Sequence, residues 1–240
     1  MRRILLLFVS IGLISTSSLA QLGDLMKRAE DAAQPSSTAG LSDDKISAGL
    51  KEALQVSTRN AVASTGRPDG FLKNEAIKIL LPEKLRAIGS GMRMMGMGEK
   101  VDELEVGMNR AAEQATPAAK AIFLSALKEM TFDDARKILT GGNTSATDYF
   151  KRKSSGELTT AFTPIVRRSM ENVGVVKSYN RLLQSAPGGA AVAGSFDLDK
   201  YVVEKTLDGL FYTLGQEEQK IRKNPAAQTT SLLKEVFGSR

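Results

Sequence analysis

The chain has 240 residues, of which 42% are hydrophobic and 25% charged. That is the balance of a soluble globular protein long enough to bury a core without covalent staples. It contains no Cys, no His and no Trp, which excludes disulfides, thiolate nucleophiles, Cys-ligated zinc and iron–sulfur clusters, a Ser-His-Asp triad and any histidine metal site. What survives is carboxylate, Lys, Tyr or Ser/Lys chemistry, hard-cation binding, or no chemistry.

Arg2 and Arg3 precede an apolar run, Ile4 to Ile14, and a polar stretch ending Ser18-Leu19-Ala20. A basic start, a short apolar segment and a small-x-small site form the pattern of a secretory leader, expected to be cut before Gln21. Eleven residues are too few to span a bilayer, which takes roughly 20 in a helix. The expected location is therefore the periplasm or the exterior, with no transmembrane segment once the leader is gone. Losing the two leader arginines lowers the net charge from +6 to +4. The basic clusters Lys151-Arg152-Lys153, Arg167-Arg168 and Lys220-Arg222-Lys223 are read as solvated helix faces. Nucleic acid is not an expected partner, because no aromatic residue alternates with a basic stripe.

Helical periodicity dominates the rest, and strand alternation is nearly missing. Residues 21–40 read as a short helix and a small-residue linker, and residues 41–240 as one all-α, multi-helix, bundle-like domain. Ser42 can cap the first helix, stapled by Leu41 and Ile46, with Leu50, Ala53, Leu54, Ser57 and Ala61 on its buried face. Arg67-Pro68-Asp69-Gly70 is a turn signal. Ile77 to Leu81, closed by Pro82, is the one expected extended segment, either a short strand or an irregular arm. A helix from Pro82-Glu83 runs out in the glycines between Gly89 and Gly98. Met97, Val101, Leu104, Met108, Ala112 and Ala115 then form an apolar stripe.

Pro117 restarts the chain, with Ile122, Phe123, Ala126, Leu127 and Met130 inward. Thr131 to Asp134 reads as a cap for a short helix ending at Gly141-Gly142. Ser154 and Glu157 have capping-box spacing, so a helix is predicted to start there, and Pro164 is expected to kink or break it. Ser185 to Ser195 is a Gly/Ala-rich loop. Phe196 and Tyr201 are spaced to staple an Asp197 cap, and Val203, Leu207, Leu210 and Leu214 stripe a long helix ending near Asn224-Pro225. A last helix carries Leu232, Leu233, Val236 and Phe237.

Four constellations bear on chemistry. Met92, Met94, Met95 and Met97 offer soft thioethers of the kind that hold Cu(I), although Met is also an adaptable core filler. Thr140 to Tyr149 is a Gly-rich loop running into a helix, without a Walker pattern; its simplest reading is a helix end followed by a cap at Thr144. Asn109 and Glu113 share one helix side. Asp148, Tyr149 and Arg152 lie within about a turn of each other on another helix. These five residues are the candidate ligand-binding set, expected to lie close together. Glu113 with Asp148 would serve as acid and base if the set were catalytic, and otherwise the five form a structural polar network. Glu218 and Arg222 are a one-turn pair, read as helix stabilisation.

Several stretches taken together carry a resemblance. They are LSDDKISAGLKEAL (Leu41 to Leu54), GFLKNEAIKILLP (Gly70 to Pro82), MNRAAEQA (Met108 to Ala115), GGNTSATDYFKRK (Gly141 to Lys153), FTPIV (Phe162 to Val166) and LDGLFYTLGQEEQKIRKNPAAQTTSLLKEVFG (Leu207 to Gly238). The set resembles the bacterial domain of unknown function 4197 family, over nearly all of the chain after the leader. The resemblance implies an exported, largely helical bacterial protein with no assigned activity, and it supplies no catalytic residues.

The expectation for function is a non-catalytic binding or interaction protein of the bacterial envelope, its partner an envelope protein or a small ligand. The alternatives are a carboxylate-dependent enzyme acting on an anionic substrate and a purely structural scaffold. No cofactor, no metal and no catalytic residue is assigned.

Overall fold

The computed structural model describes residues 43–172, 174–185 and 196–223. The predicted leader, the 21–40 linker, Ser42, the Ser185 to Ser195 loop beyond its first residue and the last predicted helix lie outside the described residues.

The described chain is all α, as its periodicity predicts, with no strand. Its elements are α1 (Asp43–Thr65), α2 (Glu83–Met94), α3 (Gly98–Ala115), a 3-10 turn (Thr116–Ala118), α4 (Ala119–Lys128), α5 (Phe132–Thr140), α6 (Ser145–Asn172), α7 (Val175–Ser185) and α8 (Leu198–Lys223). The long helices α1, α3, α6 and α8 form the frame: α8 packs on α6 and α1, and α3 packs on α6 and α7. None of the described helices is long and apolar enough to cross a membrane.

Each helix buries the stripe its spacing defines. Val101, Leu104, Met108, Ala112 and Ala115 of α3 are buried together with Ala111, and Met97 packs partly covered against them. Alanines on this face let α3 approach its neighbours closely. Phe123 meets Phe150 edge-on at 5.1 Å and Phe211 at 6.2 Å, so α4, α6 and α8 share one aromatic centre. Such rings contribute about 0.5–1.5 kcal/mol per pair beyond the area they bury.

The helix ends follow local chemistry in two places. Thr131 and Asp134 form a reciprocal capping box at the start of α5. Asp197 accepts from the Lys200 N–H at 2.9 Å while Phe196 and Tyr201 stack at 5.7 Å, the staple their spacing predicts.

Two expectations on α6 are corrected. No helix begins at Ser154: α6 starts at Ser145 and runs through, with Ser154 buried and its hydroxyl turned back to the Phe150 carbonyl. Of the kink or break expected at Pro164, the break does not occur. The proline sits exposed on the outer face, and α6 continues to Asn172. The Thr160 carbonyl that loses an N–H partner belongs to an exposed residue, within reach of water. The chain turns instead at Gly174, whose φ of +74° suits a residue without a Cβ.

Candidate functional site

Between α1 and α2 the chain from Gly66 to Pro82 has no regular structure, so its backbone must find partners elsewhere. Turn bonds serve much of the stretch from Gly66 to Lys78, and α3 serves Phe71, Leu72, Ile79 and Leu81. Glu113 accepts from the Phe71 and Leu72 N–H groups at 3.1 and 3.2 Å. One turn earlier, the Asn109 carboxamide accepts from Ile79 N–H and donates to the Ile79 carbonyl, both at 2.8 Å. A further turn back, Glu105 accepts from Leu81 N–H at 3.3 Å.

Side chains at i, i+4 and i+8 of one helix thus stand in for a neighbouring strand. The two-way bond from Asn109 to Ile79 copies a ladder pair, because a carboxamide carries the same donor and acceptor as a peptide. On the other side the Tyr201 hydroxyl donates to the Leu80 carbonyl at 3.0 Å. The segment predicted as extended is therefore an irregular arm, clasped by α3 and α8.

The charges in the clasp are matched. Glu113 is 4% exposed and is bound by the Arg110 guanidinium at 2.7 Å, which also reaches Asp69 at 2.6 Å. Asp69 stands at φ +66° and also meets Lys73 at 2.7 Å. Hydrogen bonds from Lys73 and then Arg110 hold its carboxyl below the ordinary 3.8. Both Glu113 oxygens are thus engaged, Oε1 by two N–H groups and Oε2 by the guanidinium.

The other three candidates make no hydrogen bond or ion pair with this clasp among the described residues. The Tyr149 ring is buried and its hydroxyl donates to the Ala126 carbonyl at 2.9 Å, tying α6 to α4. Burial above all pushes the phenol up, Asp134 and Glu129 add to that, and Arg152 opposes it. Asp148 and Arg152 are exposed, and Asp148 is only within 3.4 Å of the Thr144 hydroxyl. Asn109 and Glu113 bond to the arm, Tyr149 bonds to α4, and no hydrogen bond or ion pair joins Glu113 to Asp148 or Arg152 among the described residues. The sequence pattern found polar residues facing inward, but it could not tell which backbone they would face.

Glu218 is the buried carboxylate whose role the sequence under-read. It is 3% exposed and accepts from the Ala146 and Thr147 N–H groups at 3.0 and 2.9 Å and from the Thr147 hydroxyl at 2.8 Å. The cap of α6 is thus supplied from α8 and not by Thr144. Arg222, itself 9% exposed, binds the same carboxylate at 2.9 Å and the Ile138 carbonyl at 2.8 Å. That removes Arg222 from the basic cluster read as solvated.

The methionines separate. Met92 is buried and Met97 packs on the core, whereas Met94 and Met95 are exposed at the tip between α2 and α3. Four thioethers do not converge there.

Several cavities open on the frame, among them one of about 490 Å³ beside Gln114, Pro164 and Arg168 and one of about 280 Å³ beside Arg110 and Glu113; two others adjoin α8. One of these two, of about 370 Å³, is bounded by the arm (Ala76, Lys78, Leu80), by Arg86 of α2, and by Tyr201, Lys205 and Tyr212 of α8. Asp208 and Tyr212 also line a second cavity of about 410 Å³, closed by Thr144, Asp148 and Lys151 of α6 and by Gln216 and Gln219 of α8. The two form one furrow along α8. Lys78, Arg86 and Lys151 have no ion-pair partner among the described residues, while Lys205 pairs with Asp208 at 3.0 Å. Glycine at 209 lets the arm seat against α8: a Cβ there would lie 2.5 Å from the Phe71 ring. The clasp on α3 thereby fixes one wall of the furrow.

No curated protein and no solved structure shows significant similarity to this chain. Residues 40–238 match the model of the family described as protein of unknown function (DUF4197), and the chain belongs to that family.

Proposed function

We propose that this protein is an exported, non-catalytic binding protein of the bacterial envelope. One observation carries the reading. The two buried carboxylates among the described residues, Glu113 and Glu218, are both held by backbone N–H groups and an arginine. Glu113 makes no bond to Asp148, its partner in the acid–base alternative, and that supports a non-catalytic role. The open furrow beside α8 meanwhile presents cations and hydroxyl groups to solvent. The leader pattern at Arg2 to Ala20 supports export.

Native mass spectrometry of the protein purified from its own envelope tests the reading. The expected result is a polypeptide beginning at Gln21 that retains a small ligand or a partner chain. A protein that begins at Met1 in the cytoplasm and carries nothing would overturn it.

A further inference from the structure

We propose that the furrow beside α8 is a binding site for a linear acidic glycan, held by its anionic groups at the arm end and by its sugar hydroxyls at the α6 end. This rests on the binding-protein reading and gives it a ligand class and a place. Three features point the same way.

The first is charge. Lys78, Arg86 and Lys205 converge on the arm-end cavity against one carboxylate, Asp208, which already pairs with Lys205. The excess cation is therefore on Lys78 and Arg86, and a shallow low-dielectric wall strengthens its pull on an anion. Arg86 presents a planar fork that suits a carboxylate or a phosphate.

The second is the ring at the junction. Tyr212 is 49% exposed on α8 and lines both cavities. A half-exposed tyrosine in a groove offers an apolar face with a polar tip, which suits the C–H face of a sugar ring edged by hydroxyls. Tyr201 at the far end has its hydroxyl engaged by Leu80, so it serves as a rigid wall.

The third is the polar lining beyond Tyr212. Thr144, Gln216 and Gln219 supply hydroxyl and amide groups, and Asp148 and Asp208 beside Lys151 make this end net acidic, a lining for sugar hydroxyls and not for the anionic groups. Such groups match neutral hydroxyls better than they match a dense polyanion. Tyr201 to Gln219 spans roughly 27 Å of helix at 1.5 Å per residue. That length fits a chain ligand and exceeds what a single small anion needs.

The test is calorimetric titration of the full mature chain with a short oligogalacturonate. Neutral dextran oligomers, inorganic polyphosphate and vesicles containing phosphatidylglycerol are run in parallel. Binding of the oligogalacturonate that weakens with added salt, with dextran inert, is expected. Lys78→Ala with Arg86→Ala should weaken it by roughly tenfold or more, and Tyr212→Ala should do so without altering the salt dependence. These side chains are wholly or partly solvent-facing, so the variants should melt like the parent. Polyphosphate or vesicles binding as tightly, with Tyr212→Ala silent, would overturn the glycan assignment in favour of a plain anion patch. No binding of oligogalacturonate would overturn it as well. If the envelope-purified protein keeps a ligand that the Lys78, Arg86 and Tyr212 variants also keep, the furrow assignment fails while the binding-protein reading stands. If the wild type retains nothing and titrates with nothing, both fail.

Discussion

Glu218 accepts hydrogen bonds from both the N–H and the hydroxyl of Thr147, a residue 71 positions earlier in the chain, at 2.9 and 2.8 Å. A helix start that would otherwise need a local Ser, Thr or Asp cap is satisfied by a carboxylate from the far end of the fold. Anion and helix dipole are matched, and Arg222 balances the charge. Removing the carboxylate should therefore be costly. Glu218→Ala leaves the Ala146 and Thr147 N–H groups and the Thr147 hydroxyl without an acceptor in a buried site, for an expected loss of about 1–3 kcal/mol or more in urea unfolding. Glu218→Gln keeps an acceptor and should lose less. If Glu218→Ala unfolds at the parent's midpoint, α6 is capped by something else.

The candidate set separates by the same measurement. Glu113→Ala should cost about 1–3 kcal/mol, because the Phe71 and Leu72 amides lose their acceptor while Arg110 keeps Asp69. Asp148→Ala removes an exposed carboxylate and should stay within about 0.5 kcal/mol of the parent. Equal losses at the two positions would mean that they belong to one network after all.

Asn109 gives a local readout. Its carboxamide is the ladder partner of Ile79, so Asn109→Ala should free the Ile79 amide and raise its hydrogen exchange at a cost of about 1–3 kcal/mol. Asn109→Asp supplies an acceptor but no donor, and it would set a charge facing the Ile79 carbonyl. It should exchange at least as fast. Protection of Ile79 that is unchanged in both variants would show that the arm is held without this clasp.

The helices were legible because period and burial coincide. The stripe from Val101 to Ala115 and the staple of Phe196 on Tyr201 follow from spacing alone. Ser154 misled because a capping-box spacing also arises inside a helix, where a serine can bond back to the carbonyl four residues earlier. The inward placement of Asn109 and Glu113 was readable from their sharing a face with a buried stripe. Their partners were not, since nothing local ties position 113 to position 71. A usable signal was present in the polar repeat Glu105, Asn109, Glu113 along an otherwise small and apolar face. It lies beside an arm with no periodicity, whose Ile79 and Leu81 N–H groups have no partner within a local turn.

Acid should weaken the fold through the capped and paired aspartates. Hydrogen bonds from Lys73 and Arg110 hold Asp69 below 3.8, and the Thr131 hydroxyl, with its N–H in a lesser part, holds Asp134 below 3.8. In each case the unfolded chain takes up the proton before the folded chain does. The stabilisation is therefore complete above the unfolded value, near 3.8, and is lost as pH falls through the lower folded value. Thermal melts from pH 6 down to about 2 should show this loss in the wild type. Asp69→Asn and Asp134→Asn should each flatten part of the acid limb while leaving its neutral plateau lower. An acid limb that is identical in the double variant would place the titrating groups elsewhere.

Two glycines in long helices should respond to alanine with opposite signs. Glycine in a helix interior ordinarily costs about 1 kcal/mol relative to alanine. At Gly156, exposed on α6, an added Cβ meets nothing within 4 Å, so Gly156→Ala should stabilise the protein by about that amount. At Gly209 the same methyl would lie 2.5 Å from Phe71 and 3.1 Å from the Ile77 Cβ. Phe71 is fully buried, and its backbone N–H is held by Glu113, so the ring has little freedom to retreat. Overpacking of this kind costs about 1–3 kcal/mol, enough to outweigh the gain in helix propensity. The displacement would push the arm away from α8 and so move the wall that carries Lys78 and Leu80. Gly209→Ala should therefore lower the urea midpoint and speed hydrogen exchange at Ile79 together. A Gly209→Ala variant that is stabilised to the same degree as Gly156→Ala would show that the arm does not rest on α8 at this point.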